Sequence, residues 1–173
     1  MKKSILVKIK ETTPNFPVAE YLAELKYCDF VDSVSGTIDG LAKLEVNEYE
    51  EKKLMDKFKL GPKDSEPIIK AYKTKQKECL IPSWLSFKIK KEGLPKLERF
   101  IHNQSQISEA YLTKNFSVYI KCCANSMEEL DKFWQKLYRE IGNEIDGRSK
   151  SKTYFVFRRF RSRRGTRKIA LVT

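Results

Sequence analysis

The sequence predicts an α+β fold built from two tandem βαββαβ modules, each a four-stranded antiparallel sheet with two helices on one face, the ferredoxin-like arrangement. Short runs of apolar residues alternate with period two, as half-buried strands do, and stripes of period 3.6 lie between them. The same order of elements then returns roughly 80 to 90 residues later. A chain of 173 residues accommodates two such modules.

The first strand is expected over Ser4–Lys10, where Ile5, Val7 and Ile9 share one face. Pro14 and Pro17 mark a turn, and Val18, Leu22 and Leu25 recur at helical spacing among Glu20, Glu24 and Lys26. Phe30–Ser35 and Leu41–Asn47 read as a hairpin across Gly36–Gly40, with Ala42, Leu44 and Val46 on one face. Asn47 followed by Glu50 is a helix start, Leu54, Met55 and Phe58 give its buried stripe, and Gly61-Pro62 ends it. Pro67–Lys73 completes the first set as a strand.

In the second half Leu85, Phe87 and Ile89 alternate with lysines as a strand, and Leu94, Leu97, Phe100 and Ile101 form a helix with Pro95 in its first turn. Ile107–Leu112 and Phe116–Cys122 form the next hairpin. Ser126 and Glu129 are spaced as a capping box, and Met127, Leu130, Phe133, Trp134, Leu137 and Ile141 occupy one helical face. Thr153–Phe157 is the closing strand, and Ile169 and Leu171 alternate in a further short one over Thr166–Thr173. The expected organisation is a module over 1–80, a second over 81–160 with a linker near Gln76–Ser83, and a basic tail over 161–173. Helices cover one face of each sheet, so apolar residues on the other, such as Leu6, call for a second sheet. Pairing of the two repeats as a pseudo-dimer of the dimeric αβ-barrel type supplies it.

Forty per cent hydrophobic residues with ten Phe and eight Tyr argue against disorder. No run approaches the roughly 20 apolar residues of a membrane span, and the start lacks a signal peptide's apolar stretch, so a cytoplasmic protein that does not engage membranes is expected. Cys28, Cys79, Cys122 and Cys123 have no CxxC or Cys/His spacing, and His102 is the single histidine. Neither zinc nor a disulfide framework is expected, and no cofactor is assigned. No nucleophile elbow, phosphate loop or dinucleotide fingerprint is present, which favours a binding protein over an enzyme. Ferredoxin-like sheets nevertheless also carry cofactor-free oxygenases whose sites have no short motif.

The run Val18–Leu25, followed by Phe30–Val46 with Gly36-Thr37-Ile38-Asp39 at its centre, resembles the effector-binding domain of the leucine-responsive regulator/AsnC (Lrp/AsnC) family, which has this strand order and a Gly-x-x-Asp turn. Ile107–Cys122 is similar, although Leu112-Thr113-Lys114-Asn115 lacks the glycine and the acid. The resemblance implies a transcription-related regulatory module, two copies on one chain without the usual helix-turn-helix. It would sense a small metabolite, such as an amino acid, through assembly with itself or with a DNA-binding relative.

Gly36, Thr37, Asp39 and Gly40 are therefore the candidate ligand-binding residues. Glycine admits a ligand to the backbone and Asp39 accepts from an amine, although a hairpin turn alone also selects these residue types. The charge of +12 is uneven: residues 1–80 carry 15 basic against 14 acidic side chains, residues 81–173 carry 20 against 9. Arg158, Arg159, Arg161, Arg163, Arg164, Arg167 and Lys168 fall within eleven residues without an acid. These seven are the candidate nucleic-acid contacts, with Phe155, Phe157 and Phe160 available for stacking. Lys114–Ile120 echoes the third strand of an RNA-recognition motif, but Asn115 replaces its glycine, and core packing is the stronger reading there.

Overall fold

The computed structural model describes residues 1–10, 22, 27–147, 151–163 and 166–171, without the side chains of residues 158 and 160–171. The chain divides into two compact units, Met1–Ile68 with Val156–Leu171, and Ile69–Phe155 with Val172–Thr173.

The second unit contains the end of β4 (Ser65–Thr74), then β5 (Ile81–Lys88), β6 (Ile107–Thr113), β7 (Ser117–Ala124) and the start of β8 (Lys152–Arg163). Two helices, here α2 (Leu94–Asn103) and α3 (Met127–Ile141), follow β5 and β7. The strands lie in the order β6-β7-β5-β8, antiparallel, which is the ferredoxin-like order. Its core holds the alternate residues Leu85 and Phe87, Ala110 and Leu112, and Val118, Ile120 and Cys122, packed with Leu97, Ile101, Phe133 and Leu137 of the helices. The cap of α3 differs slightly from a reciprocal box. Ser126 Oγ accepts from Glu129 N at 3.1 Å, while Glu129 Oε2 accepts from Asn125 N, one residue earlier than the N-cap, at 2.8 Å.

In the first unit β1 (Lys3–Ile9), β2 (Cys28–Ser35), β3 (Gly40–Val46) and the start of β4 lie in the order β2-β3-β1-β4. The helix α1 (Glu48–Phe58) starts on Asn47, where a full capping box pairs Asn47 Oδ1 with Glu50 N (2.8 Å) and Glu50 Oε1 with Asn47 N (3.0 Å). It ends on Lys59 in the left-handed conformation, φ 52°. The helix expected over Val18–Leu25 lies outside the described residues apart from Leu22, which is helical and buried in the core with Ile5, Val7, Val31 and Leu44. The rest of β8 and β9 (Thr166–Leu171), also in this unit, form a hairpin with Arg161 opposite Lys168.

One irregularity recurs. The β2–β3 register slips between Cys28 and Phe30, and the β6–β7 register slips between Ile107 and Glu109. Aligning these two β-bulges makes Phe30, Lys43 and Leu6 of the first unit the counterparts of Glu109, Lys121 and Trp84 of the second, because each triplet forms one cross-strand row. The repeated bulge gives both units the same local offset between the paired strands.

Cys79 and Cys123 form a disulfide with a Cα–Cα distance of 5.6 Å, contrary to the expectation of unpaired cysteines. Their separation of 44 residues carries no motif, so sequence spacing had nothing to read. Adjacent strand residues point to opposite faces, and while Cys123 takes the disulfide, Cys122 sits in the helix-side core. No helix among the described residues is long and apolar enough to cross a membrane.

Candidate functional site

The sheet face of the second unit turned away from its helices is unusually polar for a buried surface. Trp84 of β5 stands opposite Lys121 of β7 on one side and Tyr154 of β8 on the other, and Lys121 stands opposite Glu109 of β6. One step along the strands, Ser86, Tyr119 and Tyr111 form a second row. Trp84, Tyr111, Tyr119, Glu109, Lys121 and Tyr154 are all at most 3% exposed. Lys121 Nζ lies 3.7 Å from Glu109 Oε2, and Tyr111 Oη donates to Glu109 Oε1 at 3.3 Å. The same ammonium lies 5.7 Å from the Trp84 ring centroid, and Trp84 stacks on Tyr111 at 6.1 Å.

Placing a carboxylate and an ammonium out of water is costly unless each is paired, and an apolar pair of equal volume is often as stable or more so. A buried Glu–Lys–Tyr–Trp group is therefore weakly explained by stability alone. The carboxylate lies between the lysine ammonium and the phenol hydroxyl, and the indole stands beside the ammonium.

The same face runs outward from these rows to Lys88, the exposed end of β5, four residues or about 13 Å from Trp84 along the strand. There a cleft of about 690 Å3 is lined by Lys88, Lys90 and Lys91 together with Glu92, Asn115, Phe116 and Asp146. Phe116, expected inside a strand, instead closes the β6–β7 turn, its N–H donating to Thr113 O at 3.0 Å with φ 59°. A bulky residue in the left-handed region costs of order 1–3 kcal/mol, and the partly buried Phe116 ring packs against the helix-side core while edging the cleft.

The first unit carries its own buried ion pair on the corresponding face. Arg159 grips Asp32 through Nε–Oδ1 at 2.5 Å and Nη2–Oδ2 at 2.8 Å, both side chains fully buried, with the guanidinium 3.9 Å above the Phe30 ring. Arg159 thus leaves the basic run to bind an acid 127 residues earlier. Arg158, Arg161, Arg163, Arg167 and Lys168 lie on the β8–β9 hairpin, but their side chains, and the whole of Arg164, lie outside the described residues.

Gly36, Thr37, Asp39 and Gly40 form the β2–β3 hairpin turn. Its backbone is closed by Val34 N–Asp39 O (3.0 Å) and Asp39 N–Ile9 O (2.8 Å), and Gly36 has φ 140°, where a side chain is strained. Gly36, Thr37 and Asp39 are exposed, whereas Gly40 is buried, with room for a Cβ only at 3.3 Å from Ile9 Cδ1. His102 is also exposed, 3.8 Å from Glu98 along α2, away from the polar rows. No cluster able to hold a metal ion occurs among the described residues. Reasoning from sequence missed the rows altogether. Only the pairing register brings Glu109 and Tyr111 beside Trp84, Tyr119 and Lys121.

No family model matches the sequence, and no curated protein does either. Solved structures do. The chain is similar to the siroheme decarboxylase NirDL, free and in complex with an iron-uroporphyrin III analogue, at TM-score 0.70 and 10% identity over 93% of this chain and 73% of that one. It is also similar to an anthrone oxidase-like protein, at TM-score 0.52 and 9% identity over 91% and 92% of the two chains. A protein of Fusobacterium nucleatum described as a candidate monooxygenase matches at TM-score 0.52 and 12% identity over 90% of each chain. These likenesses overturn three expectations: the Lrp/AsnC resemblance, the transcription-related sensor role and the absence of enzymatic character. The resemblance rested on an apolar pattern and a Gly-x-x-Asp turn, residue types that hairpin-turn chemistry alone selects. At such identities the shared property is architecture, and the chain has the α+β, ferredoxin-like fold that these enzymes also use.

Proposed function

We propose that the protein is an enzyme acting on a planar, carboxylate-bearing ring compound, and that the second unit's polar face carries the reaction. One observation supports this above the others: a single sheet face leads from Lys88, in a lysine-bearing cleft, to a buried Tyr111–Glu109–Lys121–Trp84 group. Lys88 and Lys91 would take the carboxylates, Phe116 would meet the ring, and Trp84 would keep water from the reacting carbon. In a decarboxylation the C–COO⁻ bond breaks, carbon dioxide leaves, and the electron pair stays on carbon. Tyr111 Oη then supplies the proton, with the Lys121 ammonium stabilising the phenolate until solvent reprotonates it. A tetrapyrrole bearing carboxylates, the class bound by the siroheme decarboxylase, has the required charge and flatness. The chain is further proposed to be a duplication of one module, over 1–80 and 81–160 with 161–173 appended, a reading supported by the repeated bulge.

The test is a titration of iron-uroporphyrin III followed at the Soret band, with loss of carbon dioxide followed by product mass. Reversing both Lys88 and Lys91 to Glu should weaken binding tenfold or more, about 1.4 kcal/mol or above. Tyr111→Phe should bind normally but turn over at least 100-fold more slowly. An unchanged Soret band at saturating porphyrin would end the tetrapyrrole reading, and full turnover by Tyr111→Phe would remove that residue as the proton donor.

A further inference from the structure

At another edge of the second unit, the irregular segment 75–80 between β4 and β5 forms one wall of a separate cleft of about 570 Å3. Lys73, Lys75 and Lys77 line it, facing Ser105 and Ser108. The partners of two of these lysines are backbone carbonyls. Lys73 Nζ donates to Gln104 O at 2.8 Å and reaches Ile107 O at 3.4 Å, and Lys77 Nζ reaches Ser105 O at 3.4 Å. Among the described residues none of the three lysines has a carboxylate within ion-pair distance, so their positive charge is not offset locally. Burial and the nearby Lys77 charge lower the Lys73 pKa, the direction expected where cations crowd without an anion.

The wall is weakly held by ordinary bonds. Among the described residues, apart from Lys77, its further hydrogen bond is Leu80 N to Asn125 Oδ1 at 3.4 Å, near the limit for such a bond. Cys123 Sγ lies 3.8 Å from Lys77 O, but a sulfur committed to a disulfide has no hydrogen to donate. The strong fastening is covalent, the Cys79–Cys123 bond that ties the segment to β7.

We propose that this cleft binds a small, multiply charged anion and that the Cys79–Cys123 disulfide controls its affinity by holding the lysine-bearing wall in place. Oxidation by a low-molecular-weight disulfide joins the two sulfurs, transfers two electrons to the oxidant and releases two small thiols. An excess of thiol reverses it through a mixed disulfide. Reduction frees Lys75 and Lys77 while leaving Lys73 anchored on β4, so the anion loses two of its three charges. The site is distinct from the lysine cleft of the proposed active site and does not depend on that reading.

Calorimetric titration of inorganic pyrophosphate into the full chain tests this, once after glutathione disulfide and once after dithiothreitol, with thiol content checked by intact mass. Binding by the oxidised protein and at least tenfold weaker binding by the reduced protein are expected. Cys79→Ser should behave as the reduced form under both conditions, and Lys73→Gln should weaken binding in the oxidised form, with circular dichroism unchanged in each. The Lys88→Glu/Lys91→Glu variant should bind pyrophosphate as the unmodified chain does, which separates this site from the porphyrin experiment. Equal affinity in both redox states would overturn the control, no binding by the oxidised protein would overturn the site, and two free thiols after oxidant would overturn the clamp.

Discussion

Replacing Asp32 with Ala leaves the Arg159 guanidinium fully buried without its carboxylate. The pair makes two charge-assisted bonds, at 2.5 and 2.8 Å, with both side chains at zero exposure, so neither solvent nor salt screens the loss. Breaking one side of such a pair costs about 3–5 kcal/mol, since the buried guanidinium loses its carboxylate. For a chain of this length, where each kcal/mol moves the midpoint by about 2–4 °C, that is a fall of roughly 6–20 °C in a thermal melt. The double substitution Asp32→Leu/Arg159→Met, which removes both charges and restores volume, should recover most of the loss. A double-mutant cycle would then give a large coupling energy. If Asp32→Ala melts within about a degree of the unmodified protein, the two groups are not a buried pair in solution, and the assignment of Arg159 to the first unit's interior fails with it.

Three further outcomes follow from the geometry. Burial, and then the neighbouring Asp29 charge, pushes the Cys28 thiol up to about 12, and burial with Glu129 does the same for Cys122. Neither should be alkylated in the native protein at pH 8. Both thiols are held neutral, so the stability they contribute is fully present below the ordinary thiol pKa near 9 and is lost as the pH rises towards 12, which denaturant melts across that window would register. Asn47→Ala removes the capping box of α1 and should cost about 1 kcal/mol by urea denaturation. Gly93→Ala places a Cβ 2.5 Å from Glu144 Cβ and should destabilise by about 1–3 kcal/mol, part of which Glu144→Gly restores.

What the sequence made legible was local. Asn47 with Glu50, Ser126 with Glu129, Pro95 in its helix and the turn at Gly36 are decided by neighbours within a few residues, and each appears where its chemistry requires. Strand alternation likewise placed the helix-side core of both sheets. What stayed hidden depends on register and long-range pairing. Glu109 meets Lys121 only because a bulge offsets β6, Cys79 meets Cys123 across 44 residues, and Arg159 meets Asp32 across 127. The basic run shows the difference most sharply. Its composition read as one electrostatic surface, yet one of its arginines is interior.

The division of the chain also bears on how it is made. The second unit is almost one continuous stretch, Ile69–Phe155, whereas the first needs both Met1–Ile68 and Val156–Leu171. During synthesis from the amino terminus, the second unit therefore has its helices and four strands in hand while the first still lacks the strand that brings Arg159 to Asp32. A nascent chain halted before Val156 would hold the continuous body of the second unit, Ile69–Phe155, and a provisional first one, so the half that emerges earliest waits for its closing strand.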